Sequence, residues 1–568
     1  MTEVLSRATD ADPGSPNGPR HARGGSSWYG AWARPWLLVG VLIVVVLGAA
    51  ALVAFVFWPR LSLRQGSTGL ATVGLGGAVG RLETASAVVQ GQRIVLVDRD
   101  GQLVPDHPLL AGRPATVTVT AAVPGWLSWL AGGTVRATAR FDVPAARVDQ
   151  QVVLVRPGAR PTLRFTQPVT LVRWSSPGGS GLLQLTRPTT DVTVGPVLAS
   201  GGATDLTVAG FLPWVANPPT SQVTVFAGQG AMAYVTPAPG SSDLQPGEPI
   251  LVRFSKPVTS LLGDHLPVVT VAKAGTHPAG RWQREGTDTL AFVPAPGAIW
   301  PNQTIEIRLP AQVRLAGGEQ DQGGVVTLST IPGSVLRAQQ LLASLGYLPV
   351  TWSPAPGQST PTTLAQEDAL ATNPPAGSFG WRWANTPAGL QALWVPGSDT
   401  VMTRGAIMNF EHVEGLNPVG FSNPLFWPTL AQAALSDKVN PDGYSWVDVT
   451  ESLPEQLVLW HDGQVVLTSL ANTGIPQSPT ALGTYPVYLR YRFQIMRGLN
   501  PDGTPYADPV HWISYFNGGD AVHGFVRAAY GFPQSLGCVE LPVPTAKVVW
   551  PYLHIGSLVT VQSQPLSV

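Results

Sequence analysis

From about residue 62 to 331 the chain alternates: short β-branched and aliphatic runs at period two are divided by Gly, Pro, Asp and Asn. Arg93-Ile94-Val95-Leu96-Val97 before Asp98-Arg99-Asp100-Gly101 reads as a strand entering a turn, and Thr116-Val117-Thr118-Val119-Thr120 as a half-buried strand. Gln151 to Val155, Leu163 to Phe165 and Asp191 to Val194 continue the pattern, which predicts β-sandwich modules at 62–146 and 147–228. A third β module, 229–331, is predicted from Ile250-Leu251-Val252-Arg253-Phe254, Thr289 to Pro294 and Thr304 to Ile307. The period then changes. Ser334 to Tyr347 carries apolar residues at helical spacing, with a Ser cap and a terminating Gly346; further helical stretches lie at 399–411 and 430–435. Strands return over 445–563, where Glu455 to Trp460 and Gln464 to Thr468 flank the turn His461-Asp462-Gly463.

One run fits neither period. Trp36 to Trp58 is uncharged and lies between Arg34 and Arg60. As a helix its 23 residues span roughly 35 Å, enough to cross a bilayer core, with Trp at both interfaces. Arg7, Arg20, Arg23 and Arg34 outnumber Arg60 and Arg64, so residues 1–35, rich in Gly, Ser and Pro, are expected to be a disordered cytoplasmic tail. The remainder is then extracytoplasmic, held at the cell membrane by a single pass. A cleaved signal peptide fits less well, because the run is long for an h-region and no small-residue site closes it.

Composition sharpens this picture. Gly (62) and Pro (55) make up more than a fifth of 568 residues, yet 44% hydrophobic residues and 19 Trp argue for many short strands and tight turns, not disorder. A formal net charge of zero gives no footprint for nucleic acid. No HExxH, paired cysteines or carboxylate cluster at ligand spacing occurs, so neither metal nor cofactor is expected.

The candidate chemistry lies in His523-Gly524 and Ser535-Leu536-Gly537-Cys538-Val539-Glu540-Leu541. Cys538 is the single cysteine, so it forms no intramolecular disulfide. A thiol needs a base, and His523, 15 positions upstream, can return to it through a loop. Gly537 permits a tight turn that would aim the Gly537 and Cys538 amides at an oxyanion. The bland alternative is a small buried hydrophobe and an unrelated histidine. His511 is the other candidate base, with His461 and His554 weaker.

These residues resemble the signature of the L,D-transpeptidases of bacterial cell-wall synthesis: His-Gly, a loop, then Ser-(His/Arg)-Gly-Cys-(Val/Ile)-(Arg/Asn)-Leu. Leu536 and Glu540 depart from it. Asn472-Thr473-Gly474, Ala481 to Val487 and Gly556 to Val561 resemble further family segments, so the resemblance spans 445–563. It implies a mainly β catalytic domain in which His523 deprotonates Cys538 and the Gly524 carbonyl orients the imidazole. Cys538 would be acylated by a tetrapeptide stem of peptidoglycan, releasing D-Ala, and an amine would resolve the thioester into a 3→3 cross-link. Ser535, Leu536, Gly537 and Glu540 would line the oxyanion and substrate site. Residues 229–331 are similar to bacterial immunoglobulin-like domains. Residues 332–440 are similar to a small α-helical peptidoglycan-binding domain whose helices are separated by an insertion of roughly fifty residues.

The fold class expected is therefore multidomain and mainly β, with one transmembrane helix, working as a monomer. Two other outcomes share these residues. Water as acceptor makes an L,D-carboxypeptidase, and a degenerate site makes a non-catalytic wall-adhesion protein, whose Cys538 would lack a depressed pKa and alkylate slowly. A sortase is disfavoured, since no Thr-x-Thr-Cys segment is present.

Overall fold

The structure, a computed structural model, describes residues 34–263, 265–317 and 324–564. The expected tail at 1–35 lies, except for Arg34 and Pro35, outside the described residues. The chain divides into two compact units, 1–145 with 212–217, and 146–211 with 218–568.

In the first unit a helix runs Arg34–Phe57, as the uncharged run predicts. Side chains at 34–38, 50, 51 and 54 lie outside the described residues, and among the described residues no helix is long and apolar enough to cross a membrane. After it comes one seven-stranded sheet, not two facing sheets. Its order is Arg60–Gln65, Ala71–Gly76, Gln102–Pro105, Gln92–Arg99, Leu82–Val89, Pro114–Ala122 and Thr134–Asp142. The edge strands come together, with Gln65 Nε2 donating to the Asp142 carbonyl at 3.2 Å. Curling lets one sheet bury one face on itself, so Ala115, Val117, Val119 and Ala121 are fully buried at alternate positions. Period two predicts the buried face; it does not distinguish a curled sheet from a sandwich.

The second unit starts with another single sheet where a sandwich was expected: Gly179–Thr193, Thr162–Ser176, Ala203–Phe211, Ser221–Ala227 and Val152–Val155. Register shifts between Arg164 and Val169 and again before Leu171 interrupt the long hairpin. Bulges of this kind bend a strand, and Leu163, Phe165, Val172, Leu206 and Val225 form one core. Next, a five-stranded and a three-stranded sheet over 232–329 enclose Val252, Phe254, Ile305, Ile307 and Leu328.

Helices Val335–Ser344, Leu364–Thr372 and Val401–Val413 begin at Ser334, Thr363 and Thr400, each accepting a backbone N–H with its hydroxyl. Together with Phe426–Leu435 they form the helical region. The insertion contributes a hairpin, Val350–Pro354 with Gly377–Trp381. Asn302 Oδ1 accepts from Gly333 N at 2.7 Å and from Trp427 Nε1 at 3.1 Å, tying the preceding β module to these helices.

The C-terminal domain has two sheets. One is ordered Gln464–Leu470, Gln456–His461, Ser445–Thr450, Leu558–Gln562, Gly483–Pro486; the other Leu489–Leu499, Pro505–Asn517, Asp520–Gly524, Val539–Leu541. Val447, Leu459, Val522, Val539, Leu541 and Val559 form their shared core. The helical region is not a separate bead: Ala406, Ile407 and Phe410 share a core with Trp446, Trp460 and Leu558. Asn409 Nδ2 donates to the Ile555 carbonyl at 2.9 Å.

Candidate active site

Strand Asp520–Gly524 pairs in parallel with Val539–Leu541, in the register Val522 with Val539, His523 with Glu540 and Gly524 with Leu541. Paired residues point to the same side of a sheet, and positions two apart share that side. His523 and Glu540 therefore lie on one face, and Cys538 immediately precedes the second strand, two residues before Glu540. This register is what closes the 15-residue gap in sequence.

A scaffold behind the sheet holds the nucleophile turn. Asn472 exchanges backbone hydrogen bonds with Glu540, 3.0 and 2.9 Å, and its Oδ1 accepts from Gly531 N at 3.0 Å. The Thr473 carbonyl accepts from Gln534 N and Ser535 N. Thr473 is itself held by the fully buried Glu455, which accepts its N–H at 2.6 Å and its hydroxyl at 2.8 Å. Asn472-Thr473-Gly474 thus acts as a frame for residues 531–540.

Each motif residue has a visible reason. Gly537 has φ +113°, and a Cβ there would stand 2.6 Å from Asp520 Oδ1. At Gly524 a Cβ would meet Val543 Cα and Ala546 Cβ at 3.0 Å, so glycine lets helix Val543–Val549 pack directly on the base-bearing strand. Ser535 is buried and donates to the Cys538 carbonyl at 2.5 Å while accepting from Gly537 N at 3.2 Å. The Gly537 amide is thereby used within the turn. The Cys538 N–H has no protein acceptor among the described residues and is the donor left for an oxyanion. Leu536 is half-buried and lies between Ser535 and Gly537 in the turn.

Glu540, expected at the substrate, is instead buried and paired. Arg527 Nε and Nη2 donate to its two carboxylate oxygens at 2.9 and 2.8 Å, and Asn472 Nδ2 lies 3.4 Å away. Burying a carboxylate requires such a partner. Arg527, Tyr506, Tyr515, Asp520 and Glu455 were missed by sequence reasoning. Arg527 carried one signal, being the only charged residue between His523 and Cys538. The tyrosines carried none: they come from the long hairpin, and their hydroxyls lie near enough to the Cys538 sulfur for its charge to push their own ionisation up.

The resting site is neutral. Burial pushes the Cys538 thiol up to about 12; the Ala521 amide opposes this, and the carboxylates of Asp520 and Glu540 add to it. The thiol lies 3.7 Å from the Gly519 carbonyl. Burial lowers the His523 pKa below its ordinary 6.5, against the pull of Glu540 and of the Gly524 carbonyl. Nδ1 makes no well-formed hydrogen bond among the described residues, so Gly524 orients the ring only loosely. The depressed thiol pKa expected of a catalytic Cys538 is absent, because burial outweighs the one opposing contact, the Ala521 amide, and the carboxylates of Asp520 and Glu540 act in the same direction as burial. Slow alkylation therefore does not separate an enzyme from an adhesion protein here.

The other histidines lie elsewhere. His511 pairs with Gly524 across the sheet and packs at a tilt against Phe493, ring centres 5.0 Å apart. His461 bonds Ser445, and His554 faces Asp442 at 3.2 Å.

Residues 442–561 match the model of the YkuD family, the L,D-transpeptidase catalytic domain. No curated protein matches the chain. Similar solved structures include the catalytic domain of an E. faecium L,D-transpeptidase, 26% identical, covering 21% of this chain and 96% of that one, TM-score 0.20. An L,D-transpeptidase from Mycobacterium smegmatis is 14% identical, covering 59% of this chain and 100% of its own, TM-score 0.20. L,D-transpeptidase 3 from Mycobacterium tuberculosis is 15% identical over 58% and 97%, TM-score 0.19.

Proposed function

We propose that the YkuD domain at residues 442–561 cross-links peptidoglycan, with Cys538 as nucleophile and His523 as general base. What supports this is the parallel register that brings the segment beginning just after Cys538 alongside the strand that carries His523, together with the Cys538 amide left without a protein acceptor among the described residues. His523 takes the thiol proton as sulfur attacks the carbonyl joining the L-centre of the third stem residue to D-Ala. The Cys538 N–H holds the oxyanion, where one such donor is worth roughly a hundredfold or more in rate. His523 returns the proton to the departing D-Ala amine, and an amine of a neighbouring stem resolves the thioester into a 3→3 link.

The helix Arg34–Phe57 is read here as a membrane anchor, and the β modules, the two-sheet one being immunoglobulin-like, as spacers. The helical region is read as peptidoglycan-binding. On this reading the catalytic domain works as a monomer in the wall outside the membrane.

The test is the intact mass of the protein after incubation with a disaccharide-tetrapeptide, with Cys538→Ala beside it. An adduct on the wild type only, with D-Ala released and dimer formed, supports transpeptidation. Tripeptide without dimer points to hydrolysis. Neither adduct nor product from folded protein sinks both enzymatic readings.

A further inference from the structure

Arg527 is held in a way that leaves part of it unused. Its Nε and Nη2 face Glu540, Nη2 also donates to the Gln534 carbonyl at 3.2 Å, and the guanidinium lies over the Phe525 ring at 4.7 Å. Its backbone is fixed as well, since Arg527 N donates to the Tyr530 hydroxyl, which donates to the Phe525 carbonyl. Nη1 makes no hydrogen bond to protein among the described residues. The Arg527 side chain is 31% exposed, whereas that of Glu540 is 6% exposed. A guanidinium fixed in plane, with one nitrogen uncommitted among the described residues, is a pre-oriented donor.

Its place relative to the base says what it would meet. Glu540 is the register partner of His523, so the group that Glu540 holds lies beside the imidazole. In the acyl transfer above, His523 protonates the amine of the departing amino acid. That amine and the C-terminal carboxylate sit on the same carbon, so a cation beside the general acid lies beside the carboxylate. Glu540 cancels most of the long-range charge of Arg527, leaving short-range hydrogen bonding as the means of recognition.

We propose that Arg527 binds the C-terminal carboxylate of the donor peptide through Nη1, making the site selective for stems that end at the leaving residue. The inference rests on the acyl-transfer reading. It assigns a substrate contact to a residue outside the His-Gly and Ser-x-Gly-Cys segments.

The experiment compares two donors, a tetrapeptide stem with a free C-terminal carboxylate and its C-terminal carboxamide, on the full-length protein and on Arg527→Gln and Arg527→Lys. The readout is the rate of Cys538 acylation by intact mass. The wild type should favour the carboxylate by roughly tenfold or more. Arg527→Gln should lose that preference by slowing only the carboxylate donor, and Arg527→Lys should keep part of it. A purely structural arginine would slow both donors alike, so an unchanged ratio in Arg527→Gln overturns the proposal, as does a wild type indifferent to the two donors. Absence of any adduct on the wild type overturns the acyl-transfer reading and this proposal with it.

Discussion

The Ser535 hydroxyl closes a ring of two hydrogen bonds with the residues that follow it, giving its proton to the Cys538 carbonyl and receiving that of Gly537 N. The two peptide planes that flank the Gly537–Cys538 bond are thereby held by one hydroxyl. Ser535→Ala would leave a buried carbonyl and amide unpaired, at a cost of about 1–3 kcal/mol each if the turn does not relax. The expected result is a folded protein whose acylation slows by about tenfold or more, read by intact mass with circular dichroism as control. An unchanged rate would show that the turn keeps its shape without the hydroxyl.

Alkylation of Cys538 by iodoacetamide should rise with pH far beyond the range of a free thiol, because burial raises its pKa from 9.0 toward about 12. The same shift has a sign for stability: above 9.0 the unfolded chain loses a proton that the folded site retains, so this contribution falls as pH rises from 9.0 toward 12. His523 acts at the other end. Its pKa is lowered, so below 6.5 the unfolded chain gains a proton that the folded site refuses, and stability falls with pH there. An alkylation midpoint below 8.5 would contradict the neutral resting site.

Glu455→Gln should destabilise the domain while leaving the motif residues in place. The carboxylate accepts two hydrogen bonds from Thr473 in a fully buried setting, and charge-assisted bonds contribute about 1.5–3 kcal/mol. The loss should appear as a lower urea midpoint at an unchanged slope. A midpoint equal to wild type would mean the Thr473 frame is held by other bonds.

A protein starting at residue 442 should behave worse than one starting at 229. Without the helices, Trp446, Trp460 and Leu558 lose their cover, at roughly 1.5–3 kcal/mol for each side chain. That sum is comparable with the whole stability of a domain. The shorter protein is expected to aggregate or melt without cooperativity in scanning calorimetry, and a sharp reversible transition at the longer protein's Tm would disprove the dependence.

The sequence carried the parts of this structure that depend on neighbours along the chain. Ser334 and Gly346 mark both ends of their helix because capping is local. The hairpin around His461-Asp462-Gly463 was legible because turns have their own chemistry. What failed depends on distant pairing. Alternation over Thr116–Thr120 says which face is buried, not whether the sheet meets a second sheet or its own far edge. At the site, Cys538 and His523 stood out by type and spacing, whereas the Arg527–Glu540 pair needed the parallel register that joins 520–524 to 539–541. Read along the chain, Glu540 is an unbalanced anion two residues after Cys538; in space it meets Arg527, thirteen residues upstream, at 2.8 Å.

The protonated resting state of Cys538 also bears on durability. Oxidants and adventitious soft metals react with thiolates far faster than with thiols. A buried cysteine that stays protonated reacts slowly with both. A chain with a single cysteine has no second thiol of its own to reduce a sulfenic acid, so slow oxidation of the buried thiol is what keeps Cys538 intact.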